Sequence, residues 1–196
     1  MRPSASVNPP QNKMLLLSCC APCSCGVIKK LANEKRNFTV LFYNPNIQEE
    51  TEYFRRLNEN KSVCDKYNVP FVELDWEPDV WKKAIGDTPF KERGARCSLC
   101  FQLRLEKAAR WAKENGFDTF SSVLGFSRNK DLAQVNAAAQ KASFDTGIPY
   151  DTTNWRTNNL YNLTQELAKE LHLYRQEYCG CMPLKNKSCQ KFEKVV

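Results

Sequence analysis

Apolar residues recur along this chain in two alternating rhythms. Short runs rich in branched and aromatic side chains, Met14–Ser18, Phe38–Tyr43, Val69–Leu74, Thr119–Leu124 and Ile148–Thr152, read as strands. Between them, stretches with apolar positions three and four apart predict helices over Ser24–Glu34, Glu49–Tyr67, Ser98–Asn115, Asp131–Ser143 and Leu160–Leu171. Gly116 after Asn115 and Gly147 after Thr146 are helix stops, since a residue without a Cβ takes the left-handed turn that ends a helix. Strand and helix in alternation predict one α/β domain, a mainly parallel sheet flanked by helices, with a cysteine-containing C-terminal extension.

That topology says where chemistry should gather. In open α/β sheets, ligands bind outside the carboxyl ends of the strands. The residues there are Cys19-Cys20 after the first strand, Asn44-Pro45-Asn46 after the second, Asp75-Trp76 after the third and Gly125-Phe126-Ser127-Arg128 after the fourth. The most unusual residues of the chain thus fall on one edge.

The flanks differ from the middle. Residues 1–12 are polar, carry Pro3, Pro9 and Pro10, and read as a disordered tail; residues 13–182 form the metal-binding catalytic domain; residues 183–196 are a basic tail. The apolar stretch before Cys19 is too short for a signal peptide, although Leu16-Leu17-Ser18-Cys19 mimics a lipoprotein box. No stretch is long enough for a membrane span. Ten cysteines in a chain with 42% hydrophobic residues are therefore read as reduced thiols of a cytoplasmic protein, not a secreted disulfide framework. The net charge of +7 tilts the partner toward nucleic acid. Its basic groups are Lys29, Lys30, Lys35 and Arg36; a helical stripe of Arg104, Lys107, Arg110 and Lys113; and Lys185, Lys187, Lys191 and Lys194.

Three cysteine clusters carry the candidate chemistry. Cys19, Cys20, Cys23 and Cys25 fall within seven positions, and adjacent cysteines close a strained disulfide but can both reach a multinuclear metal centre. Cys97-Ser98-Leu99-Cys100 opens a helix, whose N-terminus lowers thiol pKa. Alone, that spacing fits half a zinc site, half an iron–sulfur site or a redox dithiol. Cys19, Cys20, Cys97 and Cys100 together give four thiolates for zinc or for a 4Fe–4S cluster. Iron–sulfur is favoured, because two adjacent cysteines are not a zinc knuckle, whereas a cube of irons can use both. Cys179-Gly180-Cys181 can store two electrons as an easily reduced disulfide, or hold a second metal. Cys23 could replace any of the proposed ligands. Cys25 lies close to the site, Cys64 reads as a small core residue, Cys189 as free, and His172, the only histidine, as a helix-end residue. No dinucleotide fingerprint, Walker A sequence or pyrophosphate loop is present, so electrons would arrive through the metal centre.

Four ordered motifs then suggest a family: Ser18-Cys19-Cys20-Ala21-Pro22-Cys23, Phe42-Tyr43-Asn44-Pro45-Asn46-Ile47, Arg96-Cys97 through Cys100 to Leu103-Arg104-Leu105, and Tyr174-Arg175-Gln176 with Tyr178-Cys179-Gly180-Cys181. This order, from about Met14 to Cys181, resembles the epoxyqueuosine reductase QueH family; the stretch Leu124–Asn136 looks like a further family segment. The resemblance implies an α/β fold related to nucleotide-binding layers. It also implies reduction of the epoxide of epoxyqueuosine at the tRNA wobble position to an alkene, the last step of queuosine synthesis. Under it, Cys19, Cys20, Cys97 and Cys100 would hold a 4Fe–4S cluster and Cys179 and Cys181 would be a redox-active pair. Some relatives have Asp at the position of Cys23 and use it near the metals, which leaves room for a second iron with Cys23 as a ligand. Leu17 stands where many relatives carry histidine, so no role of that histidine transfers.

The implied reaction takes two electrons and two protons and releases water, and an unidentified carrier must supply the electrons. Tyr178, Asp75 and Arg175 are the candidate proton donors. Two rival readings stay open at this point: a zinc-stabilised, non-catalytic RNA-binding module, and a protein thiol-disulfide oxidoreductase.

Overall fold

The computed structural model describes residues 12–157 and 159–181. The predicted tails, together with Cys189 and the C-terminal lysines, lie outside the described residues apart from Asn12. Four parallel strands, β1 (Met14–Ser18), β2 (Phe38–Phe42), β3 (Phe71–Glu73) and β4 (Thr119–Ser122), form one sheet in the order β3-β2-β1-β4. Helices α1 (Ala21–Asn33), α2 (Glu50–Lys66), α3 (Pro78–Ile85), α4 (Ala95–Glu114), α5 (Leu132–Thr146) and α6 (Leu160–Glu170) connect and cover it. No helix among the described residues is long and apolar enough to cross a membrane.

β1 is the axis of the core. Its side chains alternate between faces, and every residue is buried. Met14 and Leu16 join Val27, Ile28 and Leu31 of α1 and Leu167 and Ala168 of α6. Leu15 and Leu17 join Leu105, Ala108 and Ala109 of α4 and Val135 and Ala139 of α5. Each large apolar side chain so buried contributes roughly 1.5–3 kcal/mol.

Three differences from the sequence reading have physical causes. The segment 148–152 pairs with β4 only through a parallel bridge, Phe120 to Tyr150, so it extends the sheet edge without becoming a fifth strand. Pro149 lacks an N–H to continue a ladder. Second, α3 was not predicted; it is short, begins at Pro78 and buries only Trp81 and Ile85. Third, α1 starts at Ala21, not Ser24, because Pro22 in its first turn needs no N–H partner. Gly116 and Gly147 do end helices, at φ 66° and 78°.

The order β3-β2-β1-β4 places the reversal of chain direction across the sheet between β1 and β4. The carboxyl ends of these neighbours are the switch point of the fold, where a ligand crevice opens.

Candidate metal centre

Beyond β1 the chain turns sharply into α1, and a buried polar network fixes the turn. The Ser18 hydroxyl donates to Asn60 Oδ1 at 2.6 Å, and the Ser24 hydroxyl donates to the same oxygen at 3.1 Å and to the Cys20 carbonyl at 3.0 Å. Asn60 in turn donates to the Arg56 carbonyl at 3.1 Å, and Asn44 Nδ2 donates to the Ser18 carbonyl at 3.1 Å. Removing one member would strand a buried partner at a cost of about 1–3 kcal/mol.

The turn gathers a first set of thiols. The sulfurs of Cys19, Cys20 and Cys23 all lie within 4.8 Å of one another, with Cys19 and Cys20 at 3.7 Å. They crown the N-terminus of α1, whose free N–H groups favour negative charge. Hydrogen bonds from Cys19 and Cys23 pull the Cys20 thiol well below its ordinary range, and the Arg56 charge and Gln176 Nε2, 3.0 Å from its sulfur, act the same way against burial. The shared hydrogen bond with Cys20, added to burial, pushes Cys19 up to about 12, and hydrogen bonds to Cys19 and Cys20 hold Cys23 up as well. The trio thus carries one thiolate and two protons, and metal binding would release the protons.

A second set faces the first from α4 and the C-terminal segment. Cys97 and Cys100 lie in the opening turns of α4, and Cys100 packs with Trp81, Ile85 and Cys181. A hydrogen bond with Cys181 draws the Cys179 thiol well below its ordinary range despite burial, helped by the Lys130 and Arg56 charges; Cys181 is raised in exchange. Lys130 Nζ stands 3.5 Å from Cys179 Sγ. Burial would discharge this ammonium, but the negative charge on Cys179, Cys97 and Cys181 more than offsets it. Cys97 itself is raised by burial. No disulfide joins the nine described cysteines.

The Cys-Gly-Cys turn is clamped in place. Gln48 N–H donates to the Gly180 carbonyl at 3.0 Å, and Trp76 Nε1 donates to the Ile47 carbonyl at 2.8 Å. A Cβ on Gly180 would lie 2.8 Å from Ile47 Cγ1 and 3.3 Å from Ile47 Cα, so only glycine fits between the two sulfurs.

Cys19, Cys23 and Cys179 open onto one cavity of about 190 Å³ at the switch point. Arg56, Arg104 and Lys130 make its inner wall cationic. Arg56 is buried and held by Glu52, with Nε and Nη2 donating to Glu52 Oε1 at 2.7 and 2.5 Å. At the mouth, Tyr161 stacks on Phe126 with centroids 5.3 Å apart, and the Arg128 guanidinium lies 4.3 Å from the Tyr161 ring centre. Arg156 pins the loop that carries Arg128 by donating to the carbonyls of Phe126, Ser127 and Lys130 at 3.2, 2.6 and 2.9 Å.

The structure sorts the candidate residues. Tyr178 and Arg175 line the cavity. Asp75 does not; it is exposed and lines a separate groove with Lys107 and Arg110. Arg104 is no surface cation: it is buried, and its guanidinium donates to the Tyr43 carbonyl at 3.3 Å and to Asn44 Oδ1. The rest of its stripe is engaged locally, Lys107 with Glu77, Arg110 with Glu106 and Lys113 with the Thr146 carbonyl. His172 is exposed just beyond α6, at φ 52°. Sequence reasoning missed Arg56 and Asn60. Arg56 looked like an ordinary helical ion pair with Glu52 four residues earlier, and only the fold turns that pair inward.

Fold and site together define a class: an α/β protein whose switch point holds soft thiol ligands beside a cationic cavity, the build of a metal-dependent enzyme with an anionic substrate. The chain belongs to the epoxyqueuosine reductase QueH family, whose profile matches residues 14–186. It is 41% identical over 187 residues to the epoxyqueuosine reductase QueH of Histophilus somni, covering 93% of this chain and 76% of that one. It is 42% identical over 185 residues to that of Acinetobacter baylyi, covering 92% and 85%. With that of Thermotoga maritima the identity is 32% over 175 residues, covering 86% and 88%. Among solved structures, the fold is similar to the U34-tRNA thiolase NcsA from Methanococcus maripaludis, a structure with its 4Fe-4S cluster. The TM-score is 0.54 and the identity 14%, over 91% of this chain and 63% of that one.

Proposed function

We propose that this protein is an epoxyqueuosine reductase, an oxidoreductase that converts the epoxide of epoxyqueuosine in the wobble position of tRNA to the alkene of queuosine, in the cytoplasm. One observation carries the reading beyond the family: seven thiols from three chain segments meet at the end of one cationic cavity.

The donor set fits an iron–sulfur centre. Cys19, Cys20, Cys97 and Cys100 are the proposed ligands of a 4Fe–4S cluster. Cys23, whose sulfur shares the trio with Cys19 and Cys20, is the proposed ligand of a second iron. A bound cluster supplies electrons one at a time.

The chain's own residues do the rest. Cys179 and Cys181 are the proposed redox pair. Closing the dithiol to a disulfide releases two electrons and two protons, the amounts that turn an epoxide into an alkene and water. Lys130 steadies the thiolate that begins this step. Tyr178 is the proposed donor to the epoxide oxygen: burial, then the nearby Glu52 charge, raises its phenol pKa, so the proton is held until the C–O bond opens. Asp75, outside the cavity, is the weaker choice. Arg128 on Tyr161, with Arg175 beside them, offers the RNA a stacking platform and phosphate contacts.

Nucleoside mass spectrometry tests the assignment. A bacterial host that makes epoxyqueuosine but lacks its own reductase should gain queuosine in its tRNA when given this chain. Persistence of epoxyqueuosine despite iron-loaded, soluble protein would overturn it.

A further inference from the structure

We propose that the face around Phe90 is the docking site of an acidic one-electron carrier protein, on a different side of the thiol centre from the RNA cavity. The proposal rests on the reaction assigned above, which needs electrons from outside.

The thiol centre opens in two places. Besides the large cavity there is a crevice of about 20 Å³ lined by Phe90, Arg96, Cys97, Lys130, Cys179 and Cys181. Lys130 and Cys179 line both spaces and so form the partition between them. Cys19 and Cys23 face only the first space, Cys97 and Cys181 only the second. During turnover the RNA covers the mouth of the large cavity. A protein carrier must then reach the thiols from the other side.

The rim of the crevice suits such a carrier. Phe90 is 45% exposed, although its ring is held in place: the Arg96 guanidinium lies 3.1 Å from its centre and 5.0 Å from that of Trp81. A single fixed aromatic on the surface above redox-active sulfur is a small apolar anchor. Around it stand Lys91, Arg96 and Lys130 against one carboxylate, Glu92. A small apolar contact ringed by positive charge fits the weak, electrostatically steered encounters of electron transfer. The charge selects an acidic partner. Each encounter oxidises the carrier by one electron. Two encounters, with two protons from water, restore the Cys179–Cys181 dithiol after each turnover.

The test uses the iron-loaded protein under anaerobic conditions and flavodoxin, an acidic flavin carrier, as probe. Rates of reduction by reduced flavodoxin and by dithionite are compared in stopped flow, and binding of oxidised flavodoxin is measured with and without an anticodon stem-loop RNA. Phe90→Ser and, separately, Lys91→Glu should each lower flavodoxin binding and flavodoxin-driven reduction about tenfold. Dithionite reduction should not change, and the RNA should leave flavodoxin binding intact. The Lys91→Glu variant keeps the test decisive should loss of the Phe90 ring disturb Arg96. Wild-type flavodoxin rates in both variants, or displacement of flavodoxin by the RNA, would overturn the proposal. Failure of the dithionite-reduced protein to act on epoxyqueuosine would instead overturn the reaction, and flavodoxin binding would still decide this face.

Discussion

Cys23 and Cys25 lie two positions apart on one helix and live in different chemistry. Two residues turn a helix through more than half a circle, so the two thiols point to opposite sides. Cys23 faces Cys19 and Cys20. Cys25 is wholly buried in the core cluster of β1, α1 and α6, with its sulfur 3.6 Å from the Thr164 carbonyl. Cys64 on α2 joins the same cluster. Burial alone pushes both core thiols up to about 12. At the site, burial is as deep for Cys20, yet neighbouring thiols and Arg56 hold it low. What separates a ligand from a core residue is the company of cations and other sulfurs.

Breaking the site side of this contrast should have the largest effect. Cys20→Ala or Cys97→Ala should each strip most of the iron and abolish activity, since a missing thiolate exposes a corner of the cluster. Iron and sulfide assays with visible absorption check this, and full iron content in either variant would remove that cysteine from the ligand set.

A smaller effect is expected from the clamp. Gly180→Ala forces a methyl against Ile47, where the clearance is 2.8 Å, and should shift the Cys179–Cys181 turn. Turnover should fall on the order of tenfold to a hundredfold, as misplacement of reacting groups does. The iron content should stay, because neither Cys179 nor Cys181 is a proposed cluster ligand.

The core side should tolerate change best. Cys25→Ala and Cys64→Ala should each cost about 1 kcal/mol, the scale of a small core deletion, and lower Tm by roughly 2–4 °C. Iron content and turnover should match the parent. The same contrast predicts labelling. In metal-free protein at pH 8, a thiol raised to about 12 stays protonated and is a poor nucleophile, so Cys25 and Cys64 should resist iodoacetamide while Cys179 reacts first. Mass-spectrometric mapping of the alkylated sites reads this directly.

Much of the molecule is written in local pattern. The continuous apolar run of β1 announces a strand buried on both faces, and the alternation of strands and helices announces the parallel sheet. Cys19 and Cys20 were legible as site residues because they follow β1 directly. What stayed hidden depends on which face of a helix turns inward. Arg104 shares the face of Cys97, Cys100 and Phe101 on α4, at helical spacing, so its burial follows from the cysteines and not from its charge. Arg56 reads as a solvent-exposed ion pair until α2 packs and its guanidinium reaches the thiols. Asp75 was plausible only because it follows a strand; β3 lies at the sheet edge, away from the switch point, and Asp75 lines a separate groove.

The central claim is that these thiols and this cavity reduce an epoxide on RNA. The direct measurement is anaerobic incubation of the iron-loaded protein with dithionite and epoxyqueuosine-containing tRNA, followed by nucleoside mass spectrometry. The account predicts queuosine, formed with the intact protein and absent when Cys97 is alanine. Unchanged epoxyqueuosine in the presence of fully loaded, reduced protein would contradict it.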